Sequence, residues 1–171
     1  VTRLSTLSPA ALRMMFSPDA DDTLITLLTI TGTGIATPIR LADGYTQRIS
    51  ETAEDVVYGV VSRSNNYIFL PIRISLPTEE QEAAPRAQIS ISDVTRYLTP
   101  IIRSITVAPT VTLELVLASA PNTVEVEFPG LLMSGITYNR DVVTADLSVE
   151  SLTIEPFPQH TFTPSGFPGL F

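Results

Sequence analysis

The run Thr110-Val111-Thr112-Leu113-Glu114-Leu115-Val116-Leu117 decides how the rest of this chain is read. Val111, Leu113, Leu115 and Leu117 take one parity, and Thr112 and Glu114 take the other. Successive strand residues point to opposite faces, so the pattern predicts a strand with an apolar face and a polar one. Downstream, Val143, Ala145, Leu147 and Val149 alternate with Thr144, Asp146, Ser148 and Glu150. Leu131 to Tyr138 joins that strand across Asn139-Arg140-Asp141, a good turn sequence. The last third of the domain is therefore expected to be an antiparallel meander.

Upstream of this run the same signals recur. Arg86 to Ile91 (RAQISI) reads as a strand, and Ser92-Asp93 as the cap of a helix running through VTRYLTPIIRSI. Val94, Leu98, Ile101, Ile102 and Ile105 give that helix an apolar face, expected to pack on a sheet. Pro100 lies inside the pattern and predicts a kink or a restart. Val56 to Arg63 and Tyr67 to Ile72 flank Ser64-Asn65-Asn66 and read as a hairpin, because Asn tolerates the left-handed turn conformation. Ile72 to Leu76 alternates and is expected to extend the second strand. Pro77 to Pro85, with Glu79-Glu80-Gln81-Glu82, reads as an exposed acidic loop.

Nearer the start, Thr23 to Ile30 (TLITLLTI) is β-branched and apolar throughout and reads as a buried strand. Pro38 to Leu41 reads as a second short strand, and Gly44 to Thr52 as a loop. Ser8 is a good N-cap with Pro9 at the first helical position, so a short helix is expected up to Phe16, stopped by Ser17-Pro18. Its Leu12, Met15 and Phe16 share one face. A helix this short needs something to dock on. Together these elements predict a mainly β fold, a β-sandwich or partly open barrel, with a flanking α-helix and a short N-terminal helix.

The strand pattern ends at Leu152. The segment 153–171 carries Pro156, Pro158, Pro164 and Pro168, and Phe157, Phe162, Phe167 and Phe171. Disordered segments are poor in aromatics, so this one is expected to be extended and docked, on its own domain or on a neighbour. The chain thus divides into a β domain over 1–152 and a Pro/Phe-rich C-terminal tail. At 171 residues, one domain is large enough to bury roughly 70% of its unfolded surface.

Composition narrows the function classes. There is no cysteine, which removes disulfides and thiol chemistry. The net charge is −8, and all ten basic residues are arginine. Arginine is enriched and lysine depleted in interface cores, although a genomic bias toward arginine would give the same count. Arg40, Arg48, Arg63, Arg73, Arg86 and Arg96 are scattered singly, which argues against a nucleic-acid interface. The high apolar content, 44% of residues, with no membrane span in the sequence points to oligomerisation as the cover for apolar surface. Residues 1–16 carry no secretory leader pattern, so none is expected, and a chain numbered from Val1 is expected to have lost an initiator Met.

No catalytic, cofactor or metal constellation emerges. His160 stands alone in the tail without a nucleophile beside it. Asp19, Asp21 and Asp22 lack the Gly and Glu that an EF-hand loop needs, since Leu24 and Ile30 occupy those places. Gly32-Thr33-Gly34 lacks the third glycine of a dinucleotide loop. Glu125 and Glu127 are expected to share a strand face, as an exposed pair rather than an acid/base dyad. No enzymatic activity and no cofactor are expected.

The order ALRMMF, LITLLTI, PIRL, YIFLPIRISLP, AQISISDVTRYLTPIIRSI, VTLELVLAS and a closing FTPSGFPGLF resembles the short minor tail proteins of long-tailed phages and prophages. The resemblance spans nearly the whole chain, and VTLELVLAS and FTPSGFPGLF are its most specific parts. It implies a distal tail or tail-tip ring subunit in the virion, made in the host cytoplasm. Such a ring stacks below the tail tube protein, around the end of the tape-measure protein and above the hub or baseplate proteins. It also implies a tail-tube-like β-sandwich. Rings of this kind are usually hexameric and trimeric hub rings lie below them, so six copies are favoured and three stay open. The expected interface residues are Phe157, Phe162, Phe167, Phe171, Arg73 and Arg86, and an acidic lumen would avoid holding exiting DNA. No specific nucleic acid and no membrane insertion are expected. The alternative is a receptor- or carbohydrate-binding β-sandwich module. It needs exposed aromatics, with Tyr45, Tyr58 and Tyr67 the candidates, whereas buried tyrosines with satisfied hydroxyls are the preferred expectation.

Overall fold

The computed structural model describes residues 7–17, 22–75, 86–93 and 98–148. Ten strands form one mainly antiparallel sheet, flanked by two short helices. In chain order the elements are α1 (Pro9–Phe16), β1 (Leu24–Thr31), β2 (Ile39–Ala42), β3 (Gln47–Glu51), β4 (Val56–Ser62), β5 (Asn65–Phe69), β6 (Ile72–Ser75), β7 (Arg86–Ser92), α2 (Thr99–Ser104), β8 (Thr110–Leu117), β9 (Ala120–Tyr138) and β10 (Val142–Ser148). The strand order is β3-β4-β5-β2-β1-β8-β9-β10-β7-β6. Half of it, β8-β9-β10-β7-β6, is the expected meander extended by two strands. β5 lies parallel to β2, with Leu41 opposite Ile68.

The chain-central strands are buried on both faces. On one side of β1, Leu28 and Ile30 join Leu41, Val111, Leu113, Ile89, Leu131 and Leu147 in the larger core. On the other, Ile25 and Leu27 join Ala42, Val60, Tyr67 and Val116 in a second core. The register makes this possible, because Leu27 faces Ala42 and Glu114, while Leu28 faces Leu41 and Leu113. Two-sided burial accounts for the apolar-rich run LITLLTI, broken only by Thr26 and Thr29. The β3-β4-β5 end curls over this second face, so that β4 touches β9. The backbone N–H of Arg63, in the β4–β5 turn, donates to Asn122 Oδ1 at 2.6 Å across that closure. Among the described residues the outer edges of β3 and β6 have no strand partner, which leaves the curled sheet partly open.

β9 is the longest strand, 19 residues, and it is bent by bulges. Gly130 and Gly135 adopt φ of +70° and +60°, in the left-handed region that glycine enters without a Cβ penalty. Each lies where the register against β8 or β10 shifts, the usual device for re-aiming a strand.

Several expectations change here. Gly44 to Thr52 contains strand β3, which pairs with β4 despite its exposed, polar sequence. The β4–β5 turn is Arg63-Ser64, both at positive φ, and Asn65 already pairs with Ser62 in the ladder. Ile72 to Ser75 does not extend β5. Pro71 lacks the N–H a continuing ladder needs; the Leu70 N–H still donates to Ala42 O of β2, Pro71 O accepts from Ser92 N of β7, and Ile72 to Ser75 then pairs with β7. α2 starts afresh at Thr99 with Pro100 in its first turn. Leu98 lies buried in the larger core, with Ile102 half-buried against it, so α2 packs on the sheet as expected. Buried Asp93 accepts from the Leu98 backbone N–H at 2.9 Å. The 77–85 loop, the 94–97 segment and the division at residue 152 lie outside the described residues.

Candidate functional site

The second face of the sheet changes character along its length. At one end it is apolar: Ile25, Leu27, Ala42 and Val116. Two residues further along the same strands, alternation brings Thr29, Arg40 and Thr112 to the same side. Thr29 is opposite both Arg40 and Thr112 in the ladder, so the three form one row across β2, β1 and β8. The overhanging β4–β5 hairpin adds Arg63, Asn65 and Tyr67. With Glu114, these residues line an open cleft of about 260 Å³.

Its electrostatics are specific. Glu114 is 6% exposed and accepts a 2.5 Å hydrogen bond from the Arg63 guanidinium. Glu114 stands directly opposite Glu127 on β9, an unfavourable like-charge pair, which Arg63 offsets from above. The Glu114 bond holds the Arg63 pKa above even its ordinary high value. Tyr67, buried, places its hydroxyl 3.3 Å from Thr29 Oγ1. Arg40, half-buried, has no ion-pair or hydrogen-bond partner for its side chain among the described residues. The lining therefore presents hydroxyls, an amide and one uncommitted guanidinium. Its single carboxylate is committed to Arg63, so the cleft offers binding groups but no free general base.

A second feature is the docking of α1. Ser8 caps the helix, accepting from Ala11 N at 3.1 Å, and its own N–H and hydroxyl both donate to Glu125, at 2.8 and 2.7 Å. Glu125 is buried and sits at a bulge, between Val124 and Val126, which face consecutive residues of β8. The bulge breaks the expected Glu125–Glu127 alternation, and Glu127 is exposed. Ala11, not the expected Leu12-Met15-Phe16 face, is the buried side of α1. Met15 is 52% and Phe16 75% exposed, because the contact with Glu125 orients the helix by its N-terminus and turns this end outward.

A third feature is aromatic. Tyr45 packs on Tyr58 at 5.4 Å between ring centroids and edge-on to Phe69 at 5.2 Å. Tyr67 is buried with a partnered hydroxyl, as expected, but Tyr45 and Tyr58 are exposed. They lie towards the β3 end of the sheet.

Of the expected interface residues, Arg73 is exposed on edge strand β6, and Arg86 opens β7 opposite Ser148. Phe157, Phe162, Phe167 and Phe171 lie outside the described residues, as do His160, Asp19 and Asp21. Asp22 bonds to Ser119: its carboxylate accepts from the Ser119 hydroxyl at 2.5 Å and the Ser119 N–H at 3.2 Å, tying the β8–β9 turn to the start of β1. Among the described residues no group of three or more His, Cys, Asp or Glu could hold a metal ion, and no helix is long and apolar enough to cross a membrane. The cleft was absent from the sequence reading. Its signal was there: Arg40 and Glu114 are each the one charged residue of their strand.

The family model of DUF1833 matches residues 10–162, from α1 to beyond the last described strand. The chain belongs to the DUF1833 family. That family is described as a domain of unknown function. No curated protein matches the chain.

Proposed function

We propose that this DUF1833 protein is a non-enzymatic structural subunit of a phage tail tip. In this reading it assembles with copies of itself into a ring between the tail tube and the baseplate hub, around the end of the tape-measure protein, in the virion. Six copies are favoured and three are the alternative.

The observation that carries the reading is α1. An eight-residue helix is too short to persist alone, yet it holds Met15 and Phe16 out to solvent. Exposed large apolar groups at the end of a docked element are the kind of surface that subunit contacts cover. The edges of β3 and β6, without a strand partner among the described residues, add hydrogen-bonding surface of the sort that neighbouring chains use. The resemblance of the sequence to short minor tail proteins supplies the setting. The Pro/Phe-rich tail and Arg73 and Arg86 are assigned to the same contacts.

The test is mass spectrometry of tail tips from purified virions of the phage that encodes this chain. The expected result is the chain at a stoichiometry of six, or three, per tail, and particles without completed tips when Phe16→Ser is introduced. Absence of the chain from purified virions would sink the proposal.

The exposed Tyr45 and Tyr58, packed with half-buried Phe69, favour a second reading, a receptor- or carbohydrate-binding module of the tail tip. Glycan-array binding that disappears in Tyr45→Ala supports it. A protein that binds no glycan or host cell leaves the ring reading alone.

A further inference from the structure

We propose that the cleft over β2, β1 and β8 is a carboxylate-binding site, with the Arg40 guanidinium as its anchor. The inference does not depend on the assembly proposed above.

The case starts from placement. β2 is a short, buried strand in which Ile39, Leu41 and Ala42 are all core residues. Holding an arginine in such a strand brings a charge to the edge of an apolar interior, a costly arrangement unless something compensates it. Glu114, the one anion in the cleft, is taken by Arg63 at 2.5 Å. Two guanidinium groups and one carboxylate therefore line the cleft, so its lining is net positive in a chain of net charge −8, with Glu127 opposite Glu114 just outside it. Arg40 is the group left to be matched.

The neighbours select the kind of anion. Thr29 and Thr112 lie beside Arg40 in the same cross-strand row, and Tyr67 and Asn65 close it from above. Their hydroxyls and amide can donate to an oxygen that does not face the guanidinium. A planar, two-oxygen anion meets the arginine fork with two parallel hydrogen bonds, and its remaining lone pairs reach the row of donors. The volume, about 260 Å³, lies just below the range typical of drug-sized ligands. It accommodates a carboxylate head group and a few carbons. The carboxylate comes from a free small acid or from an acidic polypeptide side chain, and the test separates the two.

The test is an NMR titration of the full chain, following the Arg40 side-chain Nε–H and the backbone amides of Thr29, Asn65 and Thr112. Acetate and an acetylated Thr-Glu-Glu-Gln-Glu-Ala peptide are added separately, with chloride at matched ionic strength as the control. The expected result is saturable shifts at these groups with a Kd of about 1 mM or below for at least one probe. Arg40→Gln weakens binding at least tenfold. Arg40→Lys, which keeps the charge and loses the fork, weakens it severalfold. Arg103→Gln, on α2 outside the cleft, leaves it unchanged. Saturation by both probes at similar concentration means that a free carboxylate suffices, and saturation by the peptide alone assigns a polypeptide source. No saturation by either probe, equal shifts with chloride, or unchanged binding in a folded Arg40→Gln protein overturns the proposal.

Discussion

Replacing Glu125 by Ala should release α1 while leaving the sheet intact. The carboxylate receives two hydrogen bonds from Ser8, at 2.8 and 2.7 Å. Hydrogen bonds to a charged group contribute about 1.5–3 kcal/mol each. Ser8 is only half-buried, so its freed donors turn to water and recover part of that sum, leaving a loss of about 2–4 kcal/mol. What else holds the helix is small: the buried methyl of Ala11 is worth about 0.8 kcal/mol, and the Ser8 cap about 1 kcal/mol. An isolated helix of this length has no stability of its own, so α1 should open locally. Hydrogen–deuterium exchange is the assay. The Leu12 and Ser17 amides, bonded to Ser8 O and Arg13 O, should exchange about 30-fold faster or more, at about 1.4 kcal/mol per factor of ten. The thermal midpoint followed by sheet circular dichroism should move little. Ser8→Ala in the Glu125→Ala background should add less than it does alone, since the hydroxyl's bond to Glu125 is already gone and only its cap on the Ala11 N–H remains to be lost. Unchanged exchange in α1, or a fall in the global midpoint without local opening, would show that Glu125 serves the sheet rather than the helix.

Gly59→Ala should destabilise the whole domain. A Cβ there would lie 1.9 Å from the Tyr67 carbonyl oxygen and 2.5 Å from Ile49 Cδ1, and backbone cannot yield cheaply, so a loss of about 1–3 kcal/mol or more is expected in urea unfolding. Leu28→Ala, at a fully buried position of the larger core, should cost about 2–5 kcal/mol with an unchanged urea m-value. Asp22 governs part of the acid limb of stability. Its bond from the Ser119 hydroxyl, first, and from backbone N–H groups holds its carboxyl below the ordinary value of 3.8. Because the folded-state pKa is depressed, the contribution is present above the unfolded value and is lost as pH falls through the folded one. Asp22→Asn should therefore be less stable than the parent at neutral pH, with the gap closing below 3.8; a gap independent of pH would rule out the ionised carboxylate as its source.

The segments with strict periodicity determined their own structure. TVTLELVL is a strand residue for residue, the Asn139 to Asp141 turn joins β9 to β10, and Ser8-Pro9 opens α1 where a cap and a first-turn proline place it. These are local matters of alternation, turn residues and capping, and they suffice for a mainly β class with short helices. Alternation even marked which residues of β8 share a side. It did not say that both sides are buried, because Thr112 and Glu114 look like a solvent face until β4 and β5 fold over them.

What tertiary structure decided is everything that depends on which strands meet. β3 is polar and exposed in sequence, and only its pairing with β4 makes it a strand. Ile72 to Ser75 alternates as well beside β7 as it would have at the end of β5, and the break at Pro71 settles which. The bulge at Glu125 turned an expected surface pair into the buried anchor of α1. The cleft is the clearest case. Arg40, Arg63 and Glu114 are spread over 75 positions of the chain, and their spacing carries no message. Long-range pairing of β2, β1 and β8 puts them on one face, and the curl of the hairpin closes it. Charged residues in these strands were visible from the start, but whether each is paired or left open to a ligand is a property of distances that only the folded sheet defines.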